Sequence, residues 1–278
     1  MRSVIIGWWS AGITSTVACK IALELYDNVE LVYIESGNLH PDNIRFKNDC
    51  EKWYGQEIRI VHNSSGYESQ IDVIHKTKYV NGPEGARCTL ELKKKTRWET
   101  EELLASEGKR VDYQVFGFEF MRREVNRAIR FLQQYPEASP LFPLIEKGLD
   151  KDACAGILIN AGIEIPEMYR MGYPNNNCLG CIKGGKGYWN KVRVDFPEIF
   201  QEMAMAERVA GHSCIRDTFL DELDPEAGRS MRIVMPNCGT FCEVELGDIE
   251  DASLDPIMKG VVSIYDTARM KLKKSKDY

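Results

Sequence analysis

Residues 3–25 carry the pattern that most constrains how this chain folds. Ser3-Val4-Ile5-Ile6-Gly7-Trp8-Trp9 is a short apolar run, Ser10-Ala11-Gly12-Ile13-Thr14-Ser15 is a turn of small residues, and Val17, Ile21 and Leu25 then recur at helical spacing. The order reads strand, loop, helix. Such a turn forms an anion site, because small residues let the backbone approach a phosphate and the first-turn N–H groups and dipole of the helix favour its charge. An ordinary helix N-cap is the competing reading of the same residues.

Three more runs read as strands: Val29-Glu30-Leu31-Val32-Tyr33-Ile34, Ile58-Arg59-Ile60-Val61 and Val111-Asp112-Tyr113-Gln114-Val115-Phe116. Between and after them lie helical stretches. One is capped by Asp42 and stopped by Gly55, a second runs from Asp150 to Asn160 and stops at Gly162, and a third starts after Pro197 and ends near Gly211. Strands separated by helices imply an α/β fold with a parallel twisted sheet flanked by helices, and a ligand site at the carboxyl ends of its strands. A chain of 278 residues has room for one large domain and an appendage.

The net charge of −6 argues against a protein coated in basic surface, although local clusters can still hold phosphates. No apolar run reaches membrane-spanning length, and the N-terminal run reads as a strand rather than a signal peptide. The expectation is a cytoplasmic protein without membrane contact. Its nine cysteines are then mostly thiols, available for packing, metal ligation or chemistry.

Asn175-Asn176-Asn177-Cys178-Leu179-Gly180-Cys181 presents two thiols at a spacing that chelates a metal or forms a redox dithiol. Cys88 precedes the pair, and Cys214, Cys238 and Cys242 follow it. Cys19, Cys50 and Cys154 sit among apolar residues of helical stretches and read as core. Ile182–Lys191, rich in glycine, lysine and aromatics, reads either as a loop for a phosphate or stacked base or as a flexible cover over the cysteines. Lys94 and Lys95 read as a solvated helix face, while Arg123, Arg127 and Arg130 form a stripe that either binds phosphates or is solvated.

Several segments, in the right order, resemble one family. Ser10-Ala11-Gly12-Ile13-Thr14-Ser15 resembles the Ser-Gly-Gly-x-Asp-Ser pyrophosphate loop of the adenine-nucleotide alpha-hydrolase superfamily, with Ala11 in place of a glycine and Thr14 in place of the aspartate. Glu35-Ser36-Gly37 with Leu39, Pro41, Asp42 and Arg45-Phe46 is similar to the segment beside the adenosine in phosphoadenosine-phosphosulfate (PAPS) reductases. Arg87-Cys88-Thr89 with Leu92-Lys93 resembles that family's cysteine-lysine segment, and Gly117 with Arg122-Arg123 its Gly-x-Arg-Arg segment, here with a longer gap. The resemblance covers residues 3–185. It implies a Rossmann-like, adenine nucleotide alpha-hydrolase-like domain over residues 1–185, with residues 186–278 an extension that completes a cysteine site.

The resemblance implies the site residues as well. Ser10, Ala11, Gly12, Ile13, Thr14, Ser15, Glu35, Ser36, Gly37, Arg87 and Gly117 would bind ATP or PAPS with Mg2+, and Lys93, Arg122 and Arg123 would serve catalysis. In adenylylsulfate reductases and in the ATP pyrophosphatases of DNA phosphorothioation, cysteines placed like Cys88, Cys178 and Cys181 hold a 4Fe-4S cluster. A fourth ligand is then sought in the turn Cys238–Cys242, with Cys242 taken first; zinc, or no metal, stays open.

Two enzyme functions follow from this resemblance. The first is an ATP pyrophosphatase that activates an acceptor, nucleic acid or small molecule, for sulfur transfer, with a cysteine desulfurase or another sulfur or electron donor as partner. The second is a PAPS or adenylylsulfate reductase. Its catalytic cysteine would be Cys238, though Asn237-Cys238-Gly239-Thr240-Phe241 lacks the glutamate and histidine of the family's segment. A degenerate nucleotide-binding module is the non-enzymatic reading, and a homo-oligomer is left open.

Overall fold

β1 (Arg2–Trp8) lies in the middle of the sheet because Val4, Ile5, Ile6 and Trp8 are all buried, so both of its faces are covered. In the computed structural model, which describes residues 1–82, 85–230 and 233, β1 leads into α1 (Ile13–Leu25), β2 (Val29–Ile34), α2 (Asn43–Tyr54), β3 (Arg59–Val61) and α3 (Gln70–Thr77). A composite helix follows: α4 (Arg87–Thr89), a π-helical turn over Leu90–Lys94, and α5 (Lys95–Ser106). Next come β4 (Lys109–Val115), α6 (Arg122–Gln134), β5 (Pro140–Leu141), α7 (Pro143–Lys147), α8 (Lys151–Asn160) and α9 (Glu167–Arg170). α10 (Lys186–Asp195) and α11 (Pro197–Ala210) are the last helices longer than one turn among the described residues.

The five strands are all parallel, in the order β3-β2-β1-β4-β5. Ile6 of β1 faces Glu30 of β2 on one side and Gln114 of β4 on the other. The chain therefore winds outward from β1 through β2 to β3, then returns to the opposite side of β1 with β4. The direction of winding reverses between β1 and β4, and the crevice expected at such a switch point lies at their carboxyl ends.

Each face of the sheet has its own core. Ile5, Val17, Ile21, Leu31, Phe46 and Leu158 pack on the face covered by α1, α2 and α8, and Ile6, Val32, Phe116, Val125, Phe131 and Phe142 on the other. A third cluster stands off the sheet, where α3, α10 and α11 meet through Ile74, Tyr188, Trp189 and Met203. Residue 185, the expected domain boundary, falls inside this cluster, which takes Leu179 and Ile182 from before it and Val192 and Phe200 from after it.

Only the start of the glycine-rich stretch, residues 182–185, is turn and loop. Lys186–Asp195 is helix α10, with Tyr188 and Trp189 1% and 0% exposed, so these rings are core and unavailable for stacking on a base. A Cβ on Gly187 would come within 2.6 Å of the Gly228 carbonyl oxygen, so this glycine serves a close backbone crossing.

Asp42 differs from its expected role as a cap. It occupies the N-cap position of α2, but its side chain makes no capping bond. Its carboxylate accepts from Arg45 Nε at 2.6 Å, Arg45 Nη2 at 2.8 Å and the Glu167 N–H at 2.8 Å, while Arg45 Nη1 donates to the Glu164 carbonyl at 3.0 Å. The pair ties α2 to the chain entering α9. Hydrogen bonds from Arg45 hold the Asp42 carboxyl below its ordinary value. The prediction is that Asp42→Asn lowers unfolding stability by about 2 kcal/mol at pH 7. A carboxyl depressed in the folded state stabilises above its unfolded value, about 4, and that contribution is lost as pH falls through the lower folded value. Urea melts at pH 7 and in acid should therefore show the gap between wild type and variant closing on the acid side.

Candidate nucleotide site and cysteine cluster

The turn after β1 is held shut by its own hydroxyls. Ser15 Oγ accepts from the Ser10 N–H at 3.1 Å and from Ser10 Oγ at 2.9 Å and donates to the Gly12 carbonyl at 3.0 Å. Thr16 Oγ1 donates to the same carbonyl at 2.9 Å and accepts from the Trp9 indole at 2.9 Å. Ala11 has φ +57°, a left-handed conformation that accounts for the glycine at this position in the resembled loop. α1 has Gly12 at its N-cap, with neither a side-chain capping bond nor an acidic residue in its first turn. The nearest polar side chain is Tyr169, whose hydroxyl accepts the Ile13 N–H at 3.4 Å; burial pushes that phenol up to about 12.

The end of β4 reaches this turn at Gly117. A Cβ there would stand 2.5 Å from both Cα and N of Ser15, so only glycine lets the two loops touch. Between them opens a cleft of about 830 Å³, counting its mouth, with both polar and apolar walls. Ser10, Gly12, Thr14 and Ser15 line the α1 end; Trp8, Ile34, Phe116 and Phe118 offer apolar surface; Lys93, Arg127 and Glu124 bring charge. Arg127 Nη1 pairs with Glu124 at 3.2 Å, both side chains are buried, and the guanidinium lies 4.5 Å from the Phe118 ring centre. An anion-binding end, an apolar slot and two cations match the needs of a nucleotide.

Of the residues expected to bind or act on a nucleotide, Ser10, Gly12, Thr14, Ser15, Gly117 and Lys93 line the cleft, and Ala11 and Ile13 support it from the core. Lys93 lies in the π-helical turn, a distortion frequent at functional sites. Arg122 is exposed and Arg123 partly so at the start of α6; it is Arg127, one turn on, that faces the cleft. Arg87 pairs with Glu91 at 2.8 Å. Glu35, Ser36 and Gly37 stand beside the cleft rather than in its wall: Glu35 is 3.5 Å from His62, and Gly37 is crossed by the Glu68 carbonyl, which a Cβ would meet. The asparagines Asn175, Asn176 and Asn177 are cleft residues that sequence reasoning passed over, although the Asn run directly before Cys178 was visible.

Those asparagines lead into the cysteines. Asn176 Nδ2 donates to the Ala11 carbonyl and to Asn43 Oδ1, both at 2.7 Å, while its Oδ1 is buried without a protein partner. Two residues on, Cys178 Sγ lies 3.3 Å from Ser36 Oγ, and the Leu179 N–H donates to the Asn38 carbonyl at 2.7 Å. Gln70 Nε2 donates to the Leu179 carbonyl at 2.6 Å, and the Cys181 N–H donates to the Tyr188 hydroxyl at 2.9 Å. The loop 175–181 is thus fastened at both ends, to the nucleotide turn and to the third core.

Cys178 and Cys181 are buried; Cys88 and Cys214, both partly buried, pack against the cluster that holds Cys181. Burial, then the Glu207 carboxylate and the nearby Cys181 and Cys88 sulfurs, push the Cys214 thiol well up. Cys19, Cys50 and Cys154 sit apart in the core beneath α1, where burial raises each thiol and leaves it inert. Cys238 and Cys242, the expected catalytic and fourth ligand positions, lie outside the described residues. Among the described residues no three His, Cys, Asp or Glu side chains converge as one metal ion requires. The Cys88 and Cys181 sulfurs act electrostatically on Cys214, so these three donors share one region of the third core.

A parallel sheet in this order, with a phosphate-type turn at its switch point, defines a nucleotide-binding α/β domain. The chain matches the phosphoadenosine phosphosulfate reductase domain over residues 5–183, and it belongs to that family, within the adenine nucleotide alpha-hydrolase superfamily. No curated protein matches it. No helix among the described residues is long and apolar enough to cross a membrane.

Two variants test the site. Gly117→Ala places a methyl against the Ser15 backbone and should destabilise the fold by about 1–3 kcal/mol, read by denaturant melts, with a matching loss of nucleotide binding. Lys93→Ala should weaken ATP binding about tenfold or more in calorimetry while leaving the melting temperature within about 2 °C, because it removes a charged contact at the cleft and little packing.

Proposed function

We propose that this protein is an ATP pyrophosphatase that activates an acceptor for sulfur transfer. The observation that carries the reading is the uncapped N-terminus of α1 at one end of a cleft that also holds Lys93 and Arg127. ATP would lie with its phosphates on the Ser10–Ser15 turn and its base against Trp8, Ile34, Phe116 and Phe118. The acceptor oxygen attacks the α-phosphorus, the bond to pyrophosphate breaks, and the adenylylated acceptor stays in the cleft. Charge on the departing pyrophosphate is held by the first-turn N–H groups of α1 and by the two cations. A sulfur nucleophile then displaces AMP from the activated centre.

Mg2+ entering with the nucleotide would find Glu124 in the cleft wall, since Thr14 stands where the resembled loop has aspartate. Cys88, Cys178 and Cys181 would hold a 4Fe-4S cluster, which when bound supplies a redox or sulfur-relaying group beside the nucleotide. The loop that carries Cys178 also carries Asn175–Asn177, so the two centres share one short segment. A cysteine desulfurase or another persulfide donor is the expected partner, and nucleic acid the larger of the candidate acceptors.

The family match favours a second reading, reduction of PAPS or adenylylsulfate by a thiolate. One assay separates them: anaerobically purified, reconstituted full-length chain is given ATP with candidate acceptors, or PAPS with thioredoxin. Pyrophosphate and AMP formation, reduced at least tenfold in Lys93→Ala, is the expected result. Sulfite from PAPS, abolished in Cys238→Ala, would replace the proposal with the reductase, and tight ATP binding with neither product would leave a binding module.

A further inference from the structure

The seven described cysteines fall into two groups. Cys19, Cys50 and Cys154 are built into the core under α1, whereas Cys88, Cys181 and Cys214 belong to the third cluster, with Cys178 three residues before Cys181. The second group is assembled by helix packing: α4 carries Cys88 and rests on α3, α3 rests on α11, and Cys214 follows α11. Sequence separation hides this, because Cys214 lies 33 residues beyond Cys181 in an unmarked loop.

The loop bearing Cys214 is fixed from below. Glu207, 0% exposed on α11, accepts the Cys214 N–H with one carboxylate oxygen and the Leu220 N–H at 2.7 Å with the other. Gly211 ends α11 in a left-handed turn, and Ser213 Oγ donates to the Ile215 carbonyl at 2.6 Å, closing a tight bend around Cys214. A buried carboxylate with both oxygens spent on backbone N–H groups is a costly way to place a surface loop. It makes sense where the position of the residue between those groups matters.

We propose that Cys214, and not Cys242, completes the thiolate set of Cys88, Cys178 and Cys181. The inference rests on the cysteine centre of the proposed function and adds its fourth ligand. Four thiolates from α4, the loop 175–181 and the bend after α11 would then staple the third core to the sheet domain. Glu207 is a positioning residue for this set; it touches the Cys214 backbone, not the bound group.

The test uses full-length protein, reconstituted anaerobically, with iron content and visible spectrum as readouts. Wild type is expected to take up about four irons per chain and show the broad iron–sulfur band. Cys214→Ser should lose most of the iron and the band while its metal-free form melts with metal-free wild type. Cys214→His should restore iron with a shifted spectrum, since imidazole can replace a thiolate on an iron, and Cys238→Ser and Cys242→Ser should match wild type. Full iron in Cys214→Ser, or loss of iron in Cys242→Ser alone, overturns the assignment while leaving the centre standing. Uptake of zinc that Cys214→Ser abolishes keeps Cys214 as ligand and discards iron. A wild type that binds neither metal overturns this inference together with the reading of the centre.

Discussion

Everything in the site depends on how closely the backbone leaving β4 approaches the first turn of α1. At Gly117 the space for a Cβ is already taken by Ser15 backbone atoms 2.5 Å away, so the two loops meet without any side chain between them. That contact fixes the floor of the cleft. The strand order places β1 and β4 side by side, and only at such a neighbouring pair can one loop supply the phosphate turn while the other supplies Phe116 and Phe118. Ala11 adds to the constraint: a non-glycine residue is held at φ +57°, and bonds from Asn176 to its carbonyl and from Ser10 to Ser15 over-determine the turn that holds it there.

The loop 175–181 gives the fold its second level of organisation. Its first half forms part of the cleft wall and its second half carries the thiols, with Asn176, Cys178 and Leu179 bonded in turn to the α1 turn, the end of β2 and the segment after it. Asn176 is the sharpest instance: its amide nitrogen serves two protein acceptors, and its carbonyl oxygen is buried in the cleft wall with no protein donor.

What the sequence disclosed and withheld follows from range. The strand, turn and helix at residues 3–25 and the strands at 29–34 and 111–116 were legible because their apolar periodicity is local. β5 was not, since a two-residue strand of Pro140 and Leu141 has no period, and the pairing that makes it a strand comes from β4. In α6 the stripe of arginines was visible, but which of them faces the cleft depends on how the helix is rotated against Phe118; Arg127 lines the cleft, and Arg122 and Arg123, nearest in sequence, do not. Tyr188 and Trp189 looked available because glycines surround them, whereas both rings are core, Gly184 lies against the Tyr188 ring and Gly187 lets the backbone pass Gly228. Asp42 was legible as a helix start, but its carboxylate was claimed by Arg45 one turn on and by the Glu167 N–H from a distant segment that no cap rule covers.

Charge in the cleft is balanced, not simply positive. Lys93 and Arg127 face it, and Glu124 answers Arg127 at 3.2 Å inside the wall, so one of the two cations is already half neutralised before any ligand arrives. A buried ion pair of this kind contributes little net stability and holds its members in place. With Thr14 in the turn instead of a carboxylate, the negative group of the site has moved from the phosphate loop to α6, on the far side of the cleft. A nucleotide's phosphates would then meet the N–H dipoles at the start of α1 and a guanidinium already paired with Glu124, an arrangement in which the incoming anion competes with Glu124 for Arg127.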